Sequence, residues 1–125
     1  MLNAEYIVWL PYEKPPLTLN QRLHWRAQAK LKADLRHLVY DRLIKQSPTP
    51  AGHIRVELHY VPRDRRRRDQ DNLVPTLKSC LDGIVDTGLI PDDTPDYVTW
   101  TPPVIDTAQP TNPHMYLRII VTEDK

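Results

Sequence analysis

Thirteen prolines partition this 125-residue chain. Proline lacks an amide donor and fixes φ, so it belongs in loops, at strand edges or in the first turn of a helix. Most of the prolines here crowd between residues 11–16, 48–50, 91–95 and 102–113. Folding falls to the stretches between them. Ala4 to Leu10 is apolar and β-prone and stops at Pro11, which predicts a first strand, followed by a loop over residues 11–20. From Leu23 to Lys45 there is neither Gly nor Pro. Leu31, Leu35, Leu38 and Leu43 follow helical spacing there, with Arg26, Lys30, Lys32 and Arg36 elsewhere on the cylinder. Asn20 is a candidate cap for this helix.

The segment Ser47-Pro48-Thr49-Pro50-Ala51-Gly52 breaks the chain before a strand from His53 to Val61. Ile54, Val56, Leu58 and Tyr60 share one face of it, and His53, Arg55, Glu57 and His59 the other, the alternation of a half-buried strand. A basic loop runs from Pro62 to Arg68. A second helix is expected from Asp71 or Asn72, either of which can cap it, with Pro75 in the tolerated first turn. Leu73, Leu77, Leu81, Ile84 and Val85 line one face, and Gly88 ends the helix near Thr87. An acidic turn over residues 91–96, a short strand Tyr97–Thr101, an irregular stretch Pro102–Pro113 and a last alternating strand Met115–Thr122 complete the chain. The expectation is a single α+β domain over residues 1–125, a small mixed or mainly antiparallel sheet packed with two helices.

The net charge of +1 hides an asymmetry. Residues 1–68 hold 14 Lys/Arg against 6 Asp/Glu, a balance of +8; residues 69–125 hold 3 against 10, a balance of −7. Such a split suggests a polyanion partner for the first half. A single cysteine, Cys80, excludes an intrachain disulfide, and its place beside Leu81 on a helix reads as a small buried group rather than a nucleophile. No apolar run has the length of a membrane helix, and the N-terminus lacks the pattern of a signal peptide, so a cytoplasmic protein without a membrane partner is expected.

The charge switch falls at Arg68/Asp69, inside Arg65-Arg66-Arg67-Arg68-Asp69-Gln70-Asp71-Asn72. Mg²⁺ takes hard oxygen ligands, one or two carboxylates with waters and substrate phosphate. In an extended segment, residues i and i+2 point the same way, so Asp69 and Asp71 can converge on one ion, with Asp92 or Asp93 as a third ligand. The plainer alternative makes Asp71 a helix cap, Asp69 an offset to the arginines and Asp92-Asp93 a solvated turn. Arg63 and Arg65, Arg66, Arg67 and Arg68 can neutralise phosphates in a salt-dependent way, gripping backbone more readily than base edges. Alternatively they form a solvated basic loop. Lys78, about two helical turns after Asp71, faces the same side and can stabilise charge on a phosphoryl centre, or stand as an ordinary surface lysine. Trp25, among Arg22, Arg26 and Lys30, can stack on unpaired bases or pack in the core or an interface. The five histidines receive no role, and three glycines are too few for a phosphate-cradling loop.

Asp69-Gln70-Asp71-Asn72-Leu73, preceded by arginines and followed by Leu81-Asp82-Gly83, Thr87-Gly88 and Asp92-Asp93, resembles the RusA family of Holliday junction resolvases. Pro15-Pro16 and Asn20 to Arg26 extend the likeness more weakly. The resemblance implies a homodimeric, Mg²⁺-dependent (or Mn²⁺-dependent) endodeoxyribonuclease of bacterial, prophage or phage origin. Such an enzyme resolves four-way DNA junctions by paired symmetric nicks in recombination and repair. It makes Asp69, Asp71 and Asp93 the metal ligands. The family's lysine comes four residues after the second aspartate, where this chain has Pro75; counting back from Asp93 matches it to Lys78 instead, with three extra residues between. Two other classes stay open: a non-catalytic DNA-binding protein, and a metal-dependent phosphoesterase acting on small phosphates.

Overall fold

A computed structural model of the chain describes residues 4–107 and 112–125. Five strands and two α-helices are found among the described residues, in the order β1 (Glu5–Leu10), α1 (Trp25–Ile44), β2 (Ala51–Val61), α2 (Val74–Asp86), β3 (Val98–Trp100), β4 (Val104–Ile105) and β5 (His114–Asp124). The sheet is mixed, and the fold is α+β. β5 lies between β1 and β2 and is antiparallel to both, while β3 and β4 both run parallel to β2 along its other edge. A parallel neighbour requires a crossover connection. α2 provides the one that joins β2 to β3.

The core follows the two periodicities of the sequence. Ile54, Val56, Leu58 and Tyr60 of β2 and Met115, Leu117, Ile119 and Val121 of β5 are buried in one cluster. Leu35, Val39 and Leu43 of α1 join them, as do Leu77, Cys80, Leu81 and Ile84 of α2. Burial of Cys80 pushes its thiol well above its ordinary range, which suits a packing role. The two helices touch closely at Gly83, where an added Cβ would stand 2.5 Å from the Arg36 carbonyl oxygen and 2.8 Å from the Val39 Cβ. Beside this crossing, the Arg36 guanidinium donates two hydrogen bonds, of 2.6 and 2.7 Å, to the Asp86 carboxylate.

Several local expectations change. α1 begins at Trp25, not Leu23, and its cap is His24, whose Nδ1 accepts from the Arg26 amide at 3.1 Å. Asn20 is not the cap. Its amide and that of Leu19 both donate to the Asn72 Oδ1, at 3.3 and 3.0 Å. Asn72 is therefore occupied, and neither it nor Asp71 caps α2; a 3₁₀ turn, Gln70–Leu73, leads into the helix instead. Pro75 sits in the first turn as expected, and Gly88, with φ +82°, follows the last turn in a conformation that suits glycine. β2 begins two residues early, at Ala51, through an irregular register opposite Glu123 and Asp124. β4 lies in the stretch expected to be irregular; two residues are too few to show alternation. Residues 108–111 of that stretch lie outside the described residues.

Candidate phosphate-binding and acidic site

β2 ends at Val61 on the same side of the sheet where α2 begins, and residues 62–73 bridge the gap. The arginines leave β2 here. Arg65, Arg66, Arg67, Arg68, Asp69 and Gln70 line an open groove of about 450 Å³ with Ile105 and Thr107. Gln70 anchors its floor by donating to the Pro103 carbonyl at 2.9 Å. A smaller hollow beside it is lined by Lys14, Arg63, Arg66 and Arg68, with Glu13, Tyr60 and Pro113.

The loop owes its shape to Asp64. Its Oδ1 accepts from the Arg66 amide at 3.0 Å, a turn closed by the side chain itself, and from Arg68 Nη2 at 2.7 Å. Arg66 and Arg63 also pair with this carboxylate. The Arg66 amide, then the Arg68 guanidinium, hold its carboxyl far below the usual carboxylate range. Arg68 is a brace as much as a charge: it also donates to the Asp64 and Arg66 carbonyls, lies over the Tyr60 ring, and leaves only 19% of its side chain exposed. Arg65 and Arg67 are exposed and make no ion pair among the described residues. The sequence reading treated the five arginines alike and missed Asp64. The signal was present as an Asp followed by Arg at i+2 and i+4.

Asp69 and Asp71 are both exposed, and neither side chain has a hydrogen-bond or ion-pair partner among the described residues. Asp69 is extended (φ −88°, ψ 128°), but Asp71 already lies in the 3₁₀ turn. The alternation that aims i and i+2 the same way therefore stops between them. Asp93 follows α2, in the acidic turn before β3. It stands within electrostatic reach of Asp82 on α2, whose carboxyl is raised first by partial burial and then by Asp93 and Asp86, against the lowering effect of Arg36 and Lys78. No group of three His, Cys, Asp or Glu side chains among the described residues is close enough to hold one metal ion. The donor chemistry at Asp69 and Asp71 suits a hard cation, which takes one or two carboxylates with waters and phosphate oxygens.

Lys78 is exposed on α2, with its ammonium 5.0 Å from the centroid of the Trp100 ring on β3. It lies between the Asp71 end of the helix and Asp82. Trp25 is 67% exposed, with Arg26 5.1 Å over its ring and His24 stacked at 5.7 Å, so it is not a core residue. The His53 ring is hydrogen-bonded to the Thr122 and Thr99 hydroxyls at 2.6 and 3.1 Å. No helix among the described residues is long and apolar enough to cross a membrane. The chain matches no protein-family model, and a search of curated proteins finds no significant relative.

Proposed function

We propose that the chain is a Mg²⁺-dependent endodeoxyribonuclease that nicks branched DNA, a Holliday junction above all, and acts in the cytoplasm as a homodimer. The observation that carries the reading is the coincidence of an arginine groove with two unpartnered carboxylates, Asp69 and Asp71, at the start of α2. The groove is open and wide, which suits a polymer backbone better than a small phosphate. Arg65 and Arg67 contact phosphates, and the Asp64 clamp holds the loop that presents them. Asp69 and Asp71 would hold the ion, since a hard cation takes one or two carboxylates with waters and phosphate oxygens. A bound Mg²⁺ supplies Lewis-acid stabilisation of the phosphoryl group and an activated water. Lys78, steadied by Trp100, adds positive charge on the same helix. Asp93, the third ligand that the family resemblance implies, acts from the Asp82 side.

The test is cleavage of a synthetic mobile four-way junction beside a matched linear duplex, with Mg²⁺ or EDTA. Wild type cuts the junction only with the metal, while Asp71→Ala binds the junction as wild type does and does not cut. Full cleavage by Asp71→Ala refutes the assignment of the ion. The scatter of the acids favours one rival, a DNA-binding protein without catalysis. It predicts equal junction binding and no cleavage under Mg²⁺ or Mn²⁺ by any variant.

A further inference from the structure

Asn72 stands beside a candidate metal ligand but commits its side chain to a distant part of the chain. Its Oδ1 accepts from the amides of Leu19 and Asn20. Four residues on, Thr76 grips the same segment: its hydroxyl donates to the Leu17 carbonyl at 2.7 Å and accepts from the Leu17 amide at 3.3 Å. Gln21 closes the segment on itself, donating to the Pro16 carbonyl at 3.0 Å and accepting from the Thr18 amide at 3.4 Å. Residues 16–21, in the connection between β1 and α1, are thereby fastened to the start of α2.

The core does not account for this fastening. Ordering a loop costs conformational entropy, yet of residues 16–21 only Leu17 is buried, and Leu19 is 62% exposed. What the segment does form is a wall. Thr18 and Asn20 line a hollow of about 310 Å³ with Arg67, Arg68, Asp69 and Asn72. Arg67, Arg68 and Asp69 also border the arginine groove, so the hollow adjoins it along that stretch of chain. The Thr18 hydroxyl and the Asn20 carboxamide have no partner among the described residues, and Arg67 has no ion pair there. A hydroxyl, a carboxamide and a guanidinium can each donate. Their common ligand is a group rich in acceptor oxygens, and on a chain read as acting on DNA that group is a backbone phosphate. Asp69 shares the hollow, which suits a phosphate that also meets the proposed ion.

We infer that residues 16–21 are the second wall of the phosphate site. Thr18 and Asn20 donate hydrogen bonds to the phosphodiester that Arg67 meets, and Asn72 is the positioning residue that holds them there. The inference rests on the nucleic-acid reading above and deepens it: it adds two neutral phosphate-binding side chains from the opposite end of the sequence, and it gives the residue after Asp71 a task separate from the ion.

The experiment measures fluorescence anisotropy of a labelled four-way junction in EDTA, which prevents cleavage, with wild type, Thr18→Val, Asn20→Ala, Asn72→Ala and the double variant Asn20→Ala/Asn72→Ala. Urea midpoints of the same proteins are read in parallel. Thr18→Val and Asn20→Ala each weaken binding about three- to tenfold, the worth of one hydrogen bond, and keep the wild-type midpoint. Asn72→Ala weakens binding at least as much. The double variant binds no more weakly than Asn72→Ala, because an Asn20 already out of place has no contact left to lose. Losses that multiply in the double variant overturn the positioning role. So does an Asn72→Ala protein whose midpoint falls while its junction affinity holds. Should Asn72→Ala not fold, the two wall variants decide alone, and wild-type affinity in either overturns the wall. Failure of wild type to bind the junction sinks the underlying nucleic-acid reading. Intact wild-type binding with unmoved variants sinks only this inference.

Discussion

Replacing Arg65 and Arg67 together by alanine isolates the part of the loop that is free to meet DNA. Arg63, Arg66 and Arg68 share the Asp64 carboxylate, whereas Arg65 and Arg67 have no ion pair among the described residues. Their removal therefore takes two charges from the groove without touching the brace that shapes it. Each phosphate neutralised on duplex DNA contributes about 0.9 to the slope of log K against log salt. Loss of two contacts lowers that slope by about 1.8. Over a fourfold rise in salt, two such contacts are worth about a twelvefold change in affinity, so the advantage of wild type over the double variant shrinks by about that factor. Anisotropy titrations of one duplex at several salt concentrations measure the slope directly. An unchanged slope, even with weaker binding, means that neither guanidinium reaches a phosphate, and the groove reading is wrong. The loss is expected to be uniform across duplex sequences, because backbone contacts position without specifying.

Gly83→Ala places a methyl 2.5 Å from the Arg36 carbonyl oxygen, a backbone atom that moves only if the two helices part. The expected loss is about 1–3 kcal/mol of unfolding free energy, the usual cost of overpacking, read as a lower urea midpoint; an unmoved midpoint shows that the crossing is loose. On acidification, burial favours a protonated Glu57, but His59, then Arg118 and Arg55, outweigh it and hold the carboxyl below its ordinary value of 4.5. A carboxyl lowered in the folded state contributes stability that is fully present above pH 4.5 and is lost as pH falls through the folded value. Thermal melts should therefore show Glu57→Gln losing less stability than wild type on acidification below pH 4.5, and parallel curves would remove Glu57 from the account.

The strands and helices were legible where one face is buried and the other is not. β2 and β5 alternate because each has one face on the core, and α2 shows its apolar stripe because it packs on α1. What could not be read is what depends on partners far along the chain. Asn72 looks like a cap, and its oxygen is instead taken by amides more than fifty residues away. Asn20 looks like the cap of α1, yet it is held there by Asn72. The same applies to the site. The five arginines were visible as charge, but their division into three held by Asp64 and two left free is a matter of loop geometry.

α2 sets the spacing of Asp71 and Asp82. Eleven residues separate Asp71 from Asp82, and at the helical rise they lie about 16 Å apart along the axis. Asp93 is close enough to Asp82 to raise its carboxyl. Lys78 falls between Asp71 and Asp82, and Trp100 steadies its ammonium. Asp69 lies on the arginine groove, and Asp71 follows it two residues on in the 3₁₀ turn. Under the proposed function, a cation held by Asp69 and Asp71 would therefore sit beside the arginines that meet the phosphate backbone.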